Sequence, residues 1–313
     1  MKIIPYLKLL RFINLIIIIL TMYLMRYLII IPFITKVRLQ VSLSDFNFLI
    51  LVLSTVLIAA AGYIINDYYD LRIDRINKEG NIILVKHIPL KRAIFLYNVL
   101  NIIGIILGVY LAFALNSFKL IGVQIIMPLG LFFYSLKYKR QFLIGNIVVS
   151  LITSFVILII GLYEFYALKN TGQLFFSSQV AQPLYIILIS YATFAFLVTL
   201  IREIVKDIQD IKGDFIYKCQ TLPIVWGINK TKIVIISLII ISMLLLTYLQ
   251  YLLHIKDLNI IFAYSLFIQI LFAYLIFLIY KAKEIKNYKF ISAYIKVIML
   301  AGIISMQAFY LEM

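Results

Sequence analysis

Six of the thirteen carboxylates in this 313-residue chain fall into two groups with the same internal spacing. The first is Asn66-Asp67-Tyr68-Tyr69-Asp70-Leu71-Arg72-Ile73-Asp74 and the second is Lys206-Asp207-Ile208-Gln209-Asp210-Ile211-Lys212-Gly213-Asp214. Both read D-x2-D-x3-D. Steps of three and four residues keep side chains on one face of a helix. Three carboxylates on one face repel one another, and a divalent cation is the simplest compensation. Magnesium takes oxygen ligands, keeps several waters, and is commonly shared between a few carboxylates and substrate phosphates. Two such faces set opposite each other would hold magnesium ions on either side of a diphosphate and neutralise charge building on a departing group. The competing reading is two solvated helix ends whose acids are balanced by neighbouring Lys and Arg. Identical spacing and equivalent topology in both groups weigh against it.

The elements that carry these groups follow from composition. The chain is 65% hydrophobic and only 13% charged, against about half apolar in a soluble protein. So few charges cannot cover a globular surface in water, and the excess apolar surface points to lipid. Nine stretches approach the roughly 20 apolar residues that a membrane helix needs: about 12–34, 46–66, 93–115, 119–136, 142–164, 183–202, 232–253, 259–280 and 291–311. The first is too long for a signal-peptide core and lacks a small-residue cleavage site, so it is expected to be retained. The fold class is therefore all-α, a polytopic bundle of nine transmembrane helices forming one domain over 1–313. Each triplet is expected where an even-numbered helix runs out, the second and the sixth. Four helices separate the two, which suggests two four-helix pseudo-repeats with a ninth helix added.

Loop charge orients the bundle. With the N-terminus cytoplasmic, the inner segments carry 22 Lys and Arg and the outer segments five, with Arg26 and Lys296 inside helices. Arg26 is expected to snorkel or to pair locally. Nine of the thirteen acids, both triplets included, then lie on the inner side. This predicts an integral protein of the cell's inner (plasma) membrane with its site facing the cytoplasm. The formal charge of +16 does not indicate a nucleic-acid partner, because the basic residues sit in short clusters between apolar runs. His87 and His254 fall on opposite sides of the membrane and cannot share a metal. Cys219 is the only cysteine, so no internal disulfide forms. No nucleotide-binding glycine motif and no G-x-S-x-G elbow is present.

At the aspartates the sequence resembles the UbiA-type family of intramembrane prenyltransferases, whose members carry N-D-x-x-D-x-x-x-D after the second helix and D-x-x-D-x-x-x-D after the sixth. Both are complete here. Arg11-Phe12-Ile13-Asn14 is similar to the family's R-P-x-N, with Phe12 in place of proline. Tyr134, Lys139-Arg140 and Gly145-Asn146 resemble the run joining the fourth and fifth helices. Gly213-Asp214 followed by Thr221-Leu222-Pro223 and Gly227 resembles G-D…T-L-P…G. The resemblance implies a magnesium-dependent enzyme that moves a prenyl group from an isoprenyl diphosphate to a lipid-soluble or amphipathic acceptor among the membrane lipids. Asn66 and the six aspartates would be its metal ligands. Arg11, Lys139 and Arg140 would meet the diphosphate, with Arg72 and Lys206 joining from within the motifs. Tyr134 would face the allylic cation through its ring, and Asn14 and Asn146 would cap helices or touch substrate.

The stretch Asn66 to Lys78 is most similar to the branch that geranylgeranylates geranylgeranylglyceryl phosphate. That branch continues P-x-R-P-I-P-S-G. Here only Ile88-Pro89 survives in place, and Lys86 stands near the family's arginine. Quinone precursors (4-hydroxybenzoate, dihydroxynaphthoate) and tetrapyrroles stay open as acceptors. A transporter is the non-enzyme alternative suggested by repeated halves, although its acids would be expected at mid-membrane rather than at helix ends.

Overall fold

The structure, a computed structural model, describes residues 3–77, 82–171 and 182–312. Glu79, Gly80 and Asn81, in the segment that departs from the family pattern, lie outside the described residues. After a short helix α1 (Ile3–Leu9), nine helical spans are long and apolar enough to cross a membrane among the described residues. The first, Phe12–Lys36, consists of α2 (Phe12–Leu24), a π-helical turn Met25–Ile30 and α3 (Ile31–Lys36). The others are α4 (Asp45–Asn77), α5 (Leu90–Ala114), α6 (Lys119–Leu136), α7 (Ile144–Asn170) and α8 (Gln182–Gln209), then α10 (Leu222–Ile255), α11 (Asn259–Lys281) and α12 (Ile285–Tyr310). The six-residue helix α9 (Ile211–Ile216) follows α8. Outward faces carry rows of exposed apolar side chains, such as Ile102, Ile103 and Ile106 on α5 and Ile240, Ile241, Leu244 and Leu245 on α10. Lipid is the solvent that tolerates such rows, and the protein is an integral membrane protein.

The helices begin and end on local chemistry. Ser44 accepts the Asn47 N–H on Oγ at 3.2 Å and starts α4. Glu284 and Asn287 form a reciprocal capping box at the start of α12, satisfying otherwise orphaned N–H groups. Pro89 precedes α5 in an extended conformation, which suits a residue without a donor. Close approach between helices relies on glycine. A Cβ added at Gly108 would sit 2.2 Å from Gln124 Cγ. Next to it Ser54 donates to the Gly104 carbonyl at 2.7 Å and Gln124 donates to the Tyr163 hydroxyl at 2.7 Å. Small residues and interhelical hydrogen bonds replace the hydrophobic effect as glue in lipid.

The bounds of three spans are corrected, and the alternatives for Arg26 are decided. The second span runs eleven residues past 66 and the sixth runs seven past 202, so the spans' own helices carry Asp67, Asp70, Asp74 and Asp207. Hydropathy ended these helices early because it counts charged residues as breaks, whereas a helix satisfies its own backbone wherever its side chains point. The seventh span begins at Leu222, ten residues before 232, and bends at Gly227 (φ 77°, ψ 163°), a conformation open to glycine. Finally, Arg26 does not snorkel. It is 1% exposed and donates to the Leu43 carbonyl at 2.6 Å and to Asp45 at 3.0 Å, with Glu164 at 3.8 Å and the Phe48 ring beneath it. Local pairing therefore holds, at the end of the bundle opposite the aspartates.

Candidate active site

One cavity of about 890 Å³ is lined by the aspartates and extends to Thr21, Ile157 and Met306. It is lined from α1, α2, α4, α6, α7, α8 and α12, with Lys139 and the segment 82–84, and α5, α10 and α11 lie outside it. Asn66, Asp67, Asp70 and Asp74 face it from α4, Asp207 from α8 and Asp210 from the break that follows α8. Five of the six aspartates thus meet across one space from opposed sides. The two triplets are not local copies of each other. The first lies on unbroken helix, whereas the second is broken at Asp210 (φ −94°, ψ 5°), where α8 ends and α9 starts. The break turns Asp214 away from the cavity lining into a buried position, 8% exposed. Asn77, at the end of α4, clamps the break by donating to the Asp210 carbonyl at 2.9 Å and accepting the Gly213 N–H at 2.8 Å. A Cβ at Gly213 would sit 2.6 Å from the Asn77 amide, so the glycine permits the clamp.

The carboxylates have partners. Arg11 reaches Asp67 at 2.8 Å. Lys139 is hydrogen-bonded and ion-paired to Asp70, which also accepts from Asn66 at 2.9 Å. Asn146 donates to Asp207 at 2.8 Å and is held by Ser150, which donates to its carbonyl at 2.6 Å. Tyr134 is buried against the same cavity, and Asn14 lines it from α2. Burial would lower the pKa of the Lys139 ammonium, but Asp70, Tyr134 and the hydrogen bond to Asp70 outweigh it and hold the pKa above the ordinary value. The Arg11 guanidinium is likewise raised against its own burial by Asp67. Both remain cations throughout the physiological range.

Two residues from the sequence reading lie outside the cavity. Arg72 follows Asp70 by two positions, which turns it about 200° around the helix, and it is exposed. Arg140 is exposed too. Its carbonyl accepts from the Gln220 N–H at 2.8 Å, and its guanidinium lies 3.4 Å from the Tyr69 carbonyl on the rim. Lys206 lines the cavity but is bound to Glu203 at 2.7 and 3.0 Å. Conversely, Arg202, Glu203 and Lys296 line the cavity and were not singled out for chemistry from sequence. The usable signal was present: an ionisable residue within a membrane helix points inward and marks function by default.

Among the described residues no three acids, histidines or cysteines gather into a ready-made metal cage. The donors facing the cavity are carboxylate and amide oxygens, which suit a hard cation that keeps waters and borrows phosphate ligands. The residues therefore fit magnesium held jointly with a phosphorylated substrate, and do not fit the nitrogen and sulfur set preferred by zinc. Burial, with Asp210 and Asp70 adding repulsion against the attraction of Lys139, pushes the Asp214 carboxyl up to about 7. Its protonation removes a negative charge beside Asp70 and Asp210, so magnesium binding is expected to weaken as pH falls through about 7. Asp214→Asn should reduce that pH dependence, as titration of magnesium-dependent turnover between about pH 5.5 and 8.5 would show. An unchanged slope in the variant would exclude Asp214 as its source.

A model of the UbiA prenyltransferase family matches residues 13–297. The digeranylgeranylglyceryl phosphate synthase of Methanobrevibacter smithii is 31% identical over 265 residues, 83% of this chain and 86% of that one. The enzyme of the same name from Saccharolobus solfataricus is 37% identical over 191 residues, and that match spans 59% of this chain but only 60% of the relative's length. A solved structure concerned with digeranylgeranylglyceryl phosphate synthase in membranes superposes with a TM-score of 0.62 at 24% identity, covering 99% of this chain and 98% of that one. A UbiA homolog from Archaeoglobus fulgidus, solved with DMAPP and Mg2+, superposes with a TM-score of 0.54 at 16% identity over 97% and 99% of the two chains. Both structural likenesses concern the fold. By its match over 13–297, the chain belongs to the UbiA prenyltransferase family.

Proposed function

We propose that this protein transfers a prenyl group from an isoprenyl diphosphate to the hydroxyl of a membrane-embedded acceptor, with a prenylated glyceryl phosphate favoured. The observation that carries the reading is the meeting of the two aspartate motifs across one cavity whose deeper walls are apolar. The acceptor follows the relatives' shared activity. Asn66, Asp67, Asp70 and Asp74 on one side, with Asp207 and Asp210 on the other, would hold magnesium, and Asp214 would add negative charge from behind Asp210. When bound, that ion stabilises the negative charge that gathers on the leaving diphosphate.

The chain's own residues do the rest. Lys139 exchanges Asp70 for a phosphate oxygen, and Arg11 does the same from Asp67. Both cations stay protonated, so they neutralise the leaving group without donating a proton. The C1–O bond breaks and its electron pair leaves on the diphosphate. The allylic cation at C1 lies near the Tyr134 ring, where the face of an aromatic attracts positive charge. Asn146 fixes the Asp207 carboxylate. Apolar walls from Ile17, Val149, Ile152 and Val198 exclude water that would otherwise quench the cation. The acceptor oxygen attacks C1 to form an ether, and its proton passes to the released diphosphate. The site faces the cytoplasm in this reading, by the excess of Lys and Arg at the aspartate end, and the membrane is the plasma membrane. A through-membrane transport path is disfavoured because the lining stops short of the buried Arg26–Glu164 cluster at the opposite end.

The test uses purified protein in nanodiscs with magnesium and a panel of prenyl diphosphates. Geranylgeranylglyceryl phosphate, 4-hydroxybenzoate and dihydroxynaphthoate are offered as acceptors, with products identified by mass spectrometry. Magnesium-dependent ether formation on the glyceryl phosphate is expected. Absence of transfer to every acceptor, together with no magnesium-dependent release of diphosphate, would overturn the reading.

A further inference from the structure

We propose that Arg202 and Lys296 form a second anion subsite, distinct from the aspartate motifs, that takes the phosphate monoester of the acceptor and makes the enzyme select phosphorylated lipid alcohols over neutral ones. This rests on the prenyl-transfer reading above. Arg202, Glu203 and Lys206 lie on α8 just before Asp207, and Lys296 faces the same cavity from α12. Lys206 is committed to Glu203 through both carboxylate oxygens, at 2.7 and 3.0 Å. Arg202 gives Glu203 only its Nη1, at 3.1 Å, while its Nε is buried with no partner. Lys296 feels Arg202 and Arg11 as like charges and Glu203 as an opposing charge.

Arg202, Lys206 and Lys296 thus lie within electrostatic reach of the Glu203 carboxylate. Three cations grouped there suit a phosphate monoester, which carries about −1.5 to −2 at neutral pH. A neutral diol or hydroquinone brings no charge, and a benzoate brings one. Leaving a guanidinium nitrogen and an ammonium undercompensated inside a membrane bundle is costly, so a ligand that completes them binds with their desolvation already met. α12 contributes no acid to the cavity, so Lys296 lies away from the carboxylates that would carry magnesium and the donor.

Full-length protein in nanodiscs, with magnesium and geranylgeranyl diphosphate, is offered geranylgeranylglyceryl phosphate or the same lipid without its phosphate. The wild type is expected to prefer the phosphorylated lipid at least a hundredfold in kcat/KM. Lys296→Gln and Arg202→Gln should each raise the KM for the phosphorylated acceptor at least tenfold and narrow the preference, with the donor KM moving less than threefold. Lys296→Arg should restore the acceptor KM. If Arg202→Gln fails to fold, Lys296→Gln alone decides. Equal use of the two lipids by the wild type overturns the subsite, as does a Lys296→Gln effect confined to the donor KM. Absence of transfer to any acceptor, with no magnesium-dependent diphosphate release, overturns the prenyl-transfer reading and the subsite with it.

Discussion

Asp67→Ala and Asp207→Ala should each lower kcat/KM for prenyl transfer at least a hundredfold while the protein still inserts and elutes as the wild type does. Each removes one wall of a site built for charge that develops only as the C1–O bond breaks. Losing one such preorganised stabiliser typically costs 10²–10³ in rate. The two aspartates sit on α4 and α8, four spans apart, and reach the same cavity. They act on one leaving group, so their effects should not add. The double variant should lose little beyond the worse single variant, as residues working as a unit do. Folding is expected to survive. Arg11 loses its Asp67 partner and Asn146 loses Asp207, but both face a cavity that water enters from the open end. Arg72→Ala is the control. It lies within the first motif but is exposed and off the lining, and it should change turnover less than threefold. Steady-state kinetics beside membrane flotation would decide. Full activity in both aspartate variants would remove the aspartates from the chemistry.

Gly145→Ala is expected to be as damaging to activity as loss of Lys139, although residue 145 makes no hydrogen bond to any acid. A Cβ there would lie 2.6 Å from Lys139 Cα and 2.7 Å from the Tyr138 carbonyl oxygen. Both are main-chain atoms and cannot rotate aside. The turn Tyr138–Arg140 must lift from the start of α7, and Lys139 must move with it away from Asp70. A displacement near 1 Å at a positioning group can cost about a hundredfold in rate, and overpacking of this kind typically costs about 1–3 kcal/mol of stability. Gly122→Ala on α6 serves as the contrast, because nothing lies within 4 Å of its added Cβ. It should be neutral or stabilising by up to about 1 kcal/mol, from helix propensity. Thermal unfolding in detergent, read beside kcat, separates the two effects. A Gly145→Ala enzyme with wild-type kcat would show that Lys139 does not need its present position.

Local physics was legible in the residues alone. Apolar runs of the right length gave the nine spans. Loop charge placed both aspartate groups at one end. Period-three and period-four spacing put Asp67, Asp70 and Asp74 on one helical face, and the structure keeps them on continuous helix. Each of these depends on neighbours within about twenty residues. Tertiary structure alone decided which faces meet. Arg72 and Arg140 lie inside or beside the motifs in sequence yet point outward, because direction around a helix or turn counts for more than proximity along the chain. Lys296 lies more than 80 residues from the nearest aspartate motif and still shares its cavity, because α12 packs against α8. The second triplet matches the first in spacing but not in backbone, since the break at Asp210 is held by Asn77, over 130 residues away. Spacing along one helix is set by that helix's own geometry. The pairing of charges across the cavity is set by how distant helices pack, and no local pattern in the chain encodes it.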